Sequence, residues 1–373
     1  MPNFWTLLSA VTLLTTLSLT TFLLRGMSKV RRLADSLPEL PPLPDGSPRR
    51  WPSVSIIVAA RNEEAHVEAA ARSLLAQDYD DFEVLIVNDR STDRTGEILQ
   101  MLAAEMPRLT IVNVELLPPG WLGKNHALHL GAQKARGDLL LFTDADVSFA
   151  PKVLQRAVAH LMREDLDHLT VVPEVKMPNW FLDSFSLTFF LCFFIYFQPW
   201  KARERKSGCY VGVGAFNLVR SGVLRGLGGF SRLRMRPDDD VMLGRLIKRN
   251  GFHQEFLYGD DLLTVPWYPS ISATVQGLMK NAFSGLNYDP KIIIGSTLTM
   301  ALLLVFPFAA IFFVPPPAHW LYLAVVAILL AQMAIIAIRA RKPIWVVLAF
   351  PLTVLFLIYI EWRAMLTTYW QDA

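Results

Sequence analysis

Cysteine is nearly absent. Only Cys192 and Cys209 occur in 373 residues, which excludes a disulfide scaffold and a Cys-rich metal site and fits a reducing compartment. Excess charge of one sign is missing too: 36 Lys and Arg stand against 33 Asp and Glu, a net +3. With no zinc-finger or basic-helix pattern, nucleic acid is not expected as a partner. His126, His129 and His253 lack the spacing of metal ligands and are read as surface or packing residues. Charged residues of any kind make up 18% of the chain and hydrophobic ones 53%, with a mean hydropathy of +0.33. That balance is too apolar for an ordinary soluble domain and too charged for a pure membrane bundle, so part of the chain is expected in lipid.

Four runs carry no Asp, Glu, Lys, Arg or His at all: Phe4 to Leu24, Ile292 to Val314, Trp320 to Ile338 and Ile344 to Ile360. The ionisable relay of a pump or coupled transporter is therefore lacking, and these runs read as anchors. The first begins uncharged and is followed by Arg25, Lys29, Arg31 and Arg32, the reverse of a cleaved signal peptide. The positive-inside rule then places the N-terminus outside and the following chain in the cytoplasm of a multi-pass membrane protein. Pro315 to Pro317 makes an uncharged outer turn, while Arg339, Arg341 and Lys342 mark a cytoplasmic one. The last run has only 17 residues and is either a crossing or a re-entrant segment. A fifth apolar stretch, Trp180 to Trp200, is interrupted by Asp183 and followed by Lys201, Arg203, Arg205 and Lys206. A single crossing there would put the acidic motifs on its two sides in different compartments. It is read as an interfacial helix with its basic flank on anionic headgroups, with a buried helix of the soluble domain as the alternative.

Residues 1–36 are thus an anchor and its basic flank, and 37–52 a linker with six prolines, extended and not expected to pack. The soluble domain runs over 53–290, and 291–373 form a second membrane region. Inside the domain, strands are expected at Val54 to Ala59, Val84 to Val87, Thr110 to Val114 and Leu139 to Phe142. Helices are expected at Glu63 to Leu75, Ser91 to Leu102 (capped by Ser91 or Thr92) and Lys124 to Arg136. Alternation of this kind gives right-handed βαβ units and a mostly parallel sheet covered on both faces. Ligands then bind beyond the carboxyl ends of the strands, where the residues are acidic: Glu63 after the first, Asp89 and Asp93 after the second, Asp144 and Asp146 after the fourth.

Asp144 and Asp146, one residue apart at a strand end, suit a hard cation such as Mg2+ or Mn2+ that keeps positions open for phosphates. A capped turn is the plainer reading of that spacing alone. Asp238, Asp239 and Asp240 precede a helix expected over Val241 to Arg249, where an N-cap would need only one of the three. Gly212, Gly214, Ala215, Phe216 and Asn217 form a glycine-rich turn into a strand, a weak signal by itself.

The ordered set VSIIVAARNEE, VNDRSTDRT, GWLGKNHALHLGAQKARGD, LLLFTDAD, GVGAFNLVRSGVLRGLGGF and PDDDVMLGRLIKRNG resembles the family 2 glycosyltransferases over roughly Pro52 to Asp289. Within the family it is most similar to membrane-anchored, non-processive members that glycosylate lipids, including the carotenoid glucosyltransferase type. The resemblance implies a GT-A nucleotide-sugar domain of the α/β class, with a mostly parallel sheet between N- and C-terminal transmembrane helices. It places Glu63 and Asp89 against the ribose and base of the donor, Lys124 in the diphosphate pocket, and Asp144 with Asp146 as the DxD metal motif, Asp146 being the direct ligand. The general base falls at Asp240. Because Asp239 stands where the family has Glu, which of the two takes the proton is left open. The QxxRW motif of processive synthases is missing: the region reads VQGLMKNAFSG, leaving Lys280 as a diphosphate contact.

The implied activity is inverting transfer of a sugar from a nucleotide diphosphate, UDP-linked by preference, to the hydroxyl of a membrane lipid. Mg2+ or Mn2+ would be the only cofactor. A polyprenyl-phosphate acceptor, or a catalytically silent nucleotide-sugar-binding scaffold, are the alternatives.

Overall fold

The computed structural model describes residues 4–43 and 45–371. In chain order, α1 (Phe4–Met27) is followed by β1 (Val54–Ala60), α2 (Val67–Leu75), β2 (Phe82–Asp89), α3 (Thr95–Glu105), β3 (Leu109–Val114) and α4 (Gly123–Lys134). Next come β4 (Leu139–Asp144), β5 (Ser148–Phe149), α5 (Val153–Arg163), β6 (His168–Val172), β7 (Glu174–Lys176) and α6 (Trp180–Phe197). After these are β8 (Asn217–Arg220), α7 (Ser221–Gly226), α8 (Asp239–Arg249), β9 (Gln254–Tyr258) and β10 (Leu263–Pro266). The chain ends in α9 (Ile271–Gly285), α10 (Pro290–Met300), α11 (Phe306–Ala310), α12 (Ala318–Arg339) and α13 (Phe350–Gln371). These elements fall into two units: a sheet unit of Val30–Val175 with Phe197–Pro266, and a helical unit of Met1–Lys29, Lys176–Tyr196 and Trp267–Ala373.

The sheet unit is built on seven strands in the order β3-β2-β1-β4-β8-β6-β9. Strands β3, β2, β1 and β4 are parallel, β8 runs antiparallel to both β4 and β6, and β9 is parallel to β6. The central strands are buried throughout because both faces are covered: Ile56, Ile57, Val84, Leu140 and Leu141 have at most 1% exposure, which is why they read as unbroken apolar runs. The sequence path goes outward from β1 to β2 to β3 and then returns to the other side of β1 at β4. That reversal is a topological switch point, and it opens a crevice beyond the carboxyl ends of β1 and β4, where Ala59 pairs with Asp144.

Three helix starts differ from the expected ones by two residues or more. α2 begins at Val67, not Glu63, because Asn62 takes a left-handed φ of 56° and turns the chain first. α3 begins at Thr95 with no side-chain cap at Arg94. Ser91 and Thr92 are instead committed to Asn62: its N–H donates to Ser91 Oγ (3.1 Å) and Thr92 N–H donates to its Oδ1 (2.8 Å). Local propensity is thus overridden by a tie between the β1 and β2 loops. α8 also begins two residues before Val241, taking Asp239 and Asp240 into its first turn.

The segment after α1 is part of the sheet unit. Tyr258 N–H donates to Arg31 O (2.9 Å), Arg31 forks onto Glu255 (2.7 Å) and reaches Glu164 (2.7 Å), and Arg32 pairs with Asp260 (3.1 Å). Packing was not expected for the proline-rich linker, but its two ends are fastened. Arg163 donates to Glu39 O (2.7 Å), and the Tyr79 hydroxyl donates to Pro52 O.

A wholly buried polar trio braces the right half of the sheet. His168 Nε2–H donates to Asn217 Oδ1 (3.0 Å), and Gln254 Nε2–H donates to His168 Nδ1 (2.9 Å). The roles are fixed by the far ends: Asn217 Nδ2 donates to Val213 O (2.7 Å), and Gln254 Oε1 accepts from Val211 N–H (3.0 Å). Burial pushes the His168 pKa down to about 4. In the unfolded chain the same imidazole protonates near pH 6.5, so between pH 6.5 and 4 the unfolded state holds more protons and stability falls as pH is lowered. The expected loss is roughly 3 kcal/mol across that window. Urea midpoints of the parent and of His168→Gln at pH 7 and pH 4.5 check it: the parent should lose more, and equal losses would refute the assignment.

The helical unit holds α1 along α12, where the Thr20 hydroxyl donates to Gln332 Oε1 (2.5 Å). It also holds α6, whose Asp183 pairs with Lys342 (2.5 Å) and whose Thr188 meets Thr353 (2.6 Å). Among the described residues, five helical stretches are long and apolar enough to cross a membrane by length and composition: Phe4–Met27, Trp180–Lys201, Pro290–Ala310, Ala318–Arg339 and Ile344–Tyr369. The last extends well past Ile360, as α13 continues through Glu361 and Arg363.

Candidate active site

The pocket at the switch point is lined by side chains from both halves of the sheet unit, among them Lys124, Asp144, Asn217, Asp239, Asp240 and Leu243. Asp144 is the last residue of β4 and enters the crevice because the strand ends there. Lys124 stands in the first turn of α4, whose buried face packs on Ile57 and Val87 through Gly131. Its Nζ donates to Asp144 Oδ1 (2.7 Å) and lies 3.8 Å from Asp239 Oδ1. Burial opposes the Lys124 charge, yet the carboxylates of Asp144, Asp239 and Asp240 outweigh it and hold the pKa well above the ordinary lysine value.

The three consecutive acids of α8 have three different partners. Asp238 is paired with Arg236 (2.6 Å) and takes no part in the pocket's lining. Asp239, 6% exposed at its side chain, faces Lys124. Asp240 accepts from Gly214 N–H through Oδ2 (2.7 Å) and from Val241 N–H through Oδ1 (2.7 Å). None of the three makes the simple side-chain N-cap. Burial, opposed by Lys124, raises both Asp239 and Asp240 above the usual carboxylate range, and Asp144 adds to the rise in each.

The glycine-rich turn is explained by close approach. A Cβ on Gly214 would lie 2.5 Å from Asp144 Oδ2, and one on Gly212 would lie 1.8 Å from the carbonyl oxygen of Asp240. Thr143 anchors the turn from below by donating to Ala215 O (2.8 Å). Asn125 holds the chain entering α8 from the other side, its amide donating to Leu233 O and to Arg236 O (2.9 Å). The buried trio of His168, Asn217 and Gln254 fixes Val211 and Val213 of the same turn. Sequence reading passed over His168 and Gln254, since nothing in their local pattern shows that three separate strands bring them to Asn217.

Asp146 and Glu63 complete the acidic rim. Burial first, then Asp144 and Glu63, push the Asp146 pKa up to about 7; burial, then Asp144 and Asp93, raise Glu63. Carboxylates crowded in this way, with Lys124 as the cation acting on both, form a donor set that suits a hard divalent ion. Among the described residues, however, no three or more His, Cys, Asp or Glu side chains are grouped so as to hold a metal ion by themselves. Asp89, 3% exposed at its side chain, ends β2 against Gly123, where a Cβ would meet its Oδ2 at 2.2 Å. Lys280 lies on α9 in the helical unit.

The profile of Glycosyl transferase family 2 matches residues 55–228, which covers β1 through α7 and includes Asp89, Lys124, Asp144, Asp146 and Gly214. Residues 55–228, just under half of the chain, are thus similar to glycosyltransferase family 2. A beta-monoglucosyldiacylglycerol synthase of Synechocystis sp. is 38% identical over 134 residues, covering 35% of this chain and 28% of that protein. A 4,4'-diaponeurosporenoate glycosyltransferase of Staphylococcus haemolyticus is 38% identical over 95 residues, or 26% and 24% of the two chains. The match thus spans less than a third of the length of either relative. The fold of the chain also resembles that of the mannosyltransferase PcManGT from Pyrobaculum calidifontis, solved with GDP-Man and Mn2+. The TM-score is 0.54 at 18% identity, over 96% of this chain and 98% of that one.

Proposed function

We propose that the protein is an inverting glycosyltransferase that moves a sugar from a nucleoside-diphosphate donor, UDP-linked, to the hydroxyl of a membrane lipid. The observation that carries this reading is the joining of two acidic groups, distant in sequence, in one pocket by Lys124: Asp144 at the end of β4, and Asp239 with Asp240 at the start of α8. The lipid acceptor is supported by the diacylglycerol and carotenoid acid in the relatives' names, and by the apolar helices. Placement at the cell membrane with the sheet unit in the cytoplasm rests on the exposed Arg25 in the last turn of α1 and Lys29 just after it. Arg31 and Arg32 contribute less to that flank, since their charge is spent on Glu164, Glu255 and Asp260. The chain leaves the sheet unit after Val175 and rejoins it at Phe197, and the acidic groups before and after α6 share one pocket. Both favour the interfacial reading of that helix over a single crossing.

In this reading Asp240 is the base. Its orientation is fixed by the Gly214 and Val241 N–H groups, while each carboxylate oxygen keeps a second acceptor site for the incoming hydroxyl. Burial lifts its basicity toward neutral pH. As Asp240 takes the proton, the acceptor oxygen forms its bond to the anomeric carbon from the face opposite the nucleotide. The bond from that carbon to the diphosphate oxygen breaks, and nucleoside diphosphate departs with inversion. Lys124 holds positive charge beside the diphosphate, and Asp239 keeps it placed. Glu63 and Asp89 receive the nucleoside. Asp146, with Asp144, would hold Mg2+ or Mn2+, which when bound neutralises charge on the leaving nucleotide.

The test is release of nucleoside diphosphate by the detergent-purified full chain, given a panel of UDP- and GDP-sugars, Mn2+ and a total lipid extract. Turnover with a UDP-sugar is expected, falling about 100-fold or more in EDTA and in Asp146→Ala. No turnover with any donor, together with no nucleotide binding, would leave only a scaffold.

A further inference from the structure

Arg90 comes directly after β2 and carries a left-handed φ of 55°, a backbone that glycine adopts freely and a residue with a Cβ adopts at a cost. Strain of that kind persists where the side chain is needed at that spot. Its guanidinium clamps Asp89, Nε donating to Oδ1 (2.8 Å) and Nη2 to Oδ2 (3.2 Å). Neutralisation of Asp89 alone does not require it, because Arg61 Nη1 also lies 3.9 Å from Asp89 Oδ2. The Arg90 side chain is 27% exposed, so part of it stays open to solvent beyond the clamp.

Its position sets what it would meet. Asp144 pairs with Ala59 and Asn88 with Ala60, so Arg90 stands two strands across the sheet from Asp144, a lateral separation of roughly 10 Å. A nucleoside diphosphate whose phosphates lie at Asp144 and Lys124 reaches that far with its base. Arginine has five N–H donors and no acceptor. Two are turned to Asp89, and those left over match carbonyl oxygens.

We propose that Arg90 reads the nucleobase of the donor, donating to the carbonyl oxygens of uracil or guanine and so selecting these bases over adenine, which has none. The assignment rests on the nucleotide-sugar reading above and adds a specificity residue to it. Asp89, at the nucleoside end of the site, also braces the guanidinium.

The test is equilibrium binding of UDP, GDP and ADP to the full chain in detergent with Mn2+, for the parent, Arg90→Gly and Arg90→Lys, with thermal melting as the folding control. The parent is expected to bind UDP at least tenfold more tightly than ADP. Both variants should weaken UDP and GDP about tenfold and leave ADP unchanged, since lysine keeps the charge but loses the fork. Arg90→Lys carries the test if the glycine variant does not fold. Equal weakening of all three nucleotides would make Arg90 a phosphate contact and overturn the proposal, as would full discrimination in either folded variant. Failure of the parent to bind any nucleotide would instead strike at the nucleotide-sugar reading itself, and this proposal would fall with it.

Discussion

Asp240→Asn is expected to fold and bind donor like the parent while losing about 10²- to 10⁴-fold in turnover, the range a positioned general base contributes. The amide has nearly the carboxylate's shape, and its oxygen can still accept one of the two N–H groups that hold Asp240, from Gly214 or Val241. It cannot take a proton from the acceptor. Asp239→Asn serves as the internal comparison. That change removes a negative partner of Lys124, whose Nζ keeps its 2.7 Å contact with Asp144, so donor binding should shift and turnover should fall less. The reverse order of losses would move the base to Asp239. Near-normal turnover in both variants would mean that the acceptor arrives already ionised, as a polyprenyl phosphate does, and would rule out a hydroxyl acceptor. The measurement is initial rate of nucleoside diphosphate release at saturating donor.

Much of the side of this site formed by β1, β2 and β4 is readable in one dimension because parallel sheets are built that way. Strands β1, β2 and β4 are buried on both faces and so spell short apolar runs, and the residues at the carboxyl end of such a run lie in the crevice by topology. Asp89 and Asp144 are legible for that reason alone. The division of labour among Asp238, Asp239 and Asp240 is not legible, because their partners Arg236, Lys124 and Gly214 come from three different places in the chain. The same holds for His168, Asn217 and Gln254, joined only when β6, β8 and β9 lie side by side. The misplaced starts of α2 and α3 share one physical cause. Asn62, Ser91 and Thr92 are good capping residues, and the fold uses their hydrogen bonds to tie two loops at the crevice together instead. The Trp180 to Trp200 stretch stayed ambiguous because composition alone matches a span. The proposal of an interfacial helix rests on Asp144 and Asp240, on either side of it in sequence, lining the same pocket.

Gly212→Ala should cost about 3 kcal/mol or more and abolish most activity, a large effect for one methyl group. At Gly212 the added Cβ would stand 1.8 Å from the carbonyl oxygen of Asp240, 2.5 Å from its carbonyl carbon and 3.0 Å from the Val241 nitrogen. All three are backbone atoms of the first turn of α8, so no side chain can rotate away. The same surface is met one turn later, where a Cβ on Gly244 would lie 1.9 Å from Val211 O. The glycine-rich turn and α8 therefore touch main chain to main chain at two points, and neither can open without tilting the helix that carries Asp239 and Asp240. Such a tilt also lengthens the contact of Gly214 N–H with Asp240 Oδ2, so the base loses its aim as the fold loses stability. Gly222→Ala is the matched control, since a Cβ there meets nothing within 4 Å. That position lies inside α7, and alanine should be neutral or stabilising by up to about 1 kcal/mol. Melting temperature and turnover, read on both variants in the same detergent, decide the matter. A Gly212→Ala protein with parental melting and parental rate would show that α8 does not lie flush on the turn, and the placement of Asp240 would fall with it.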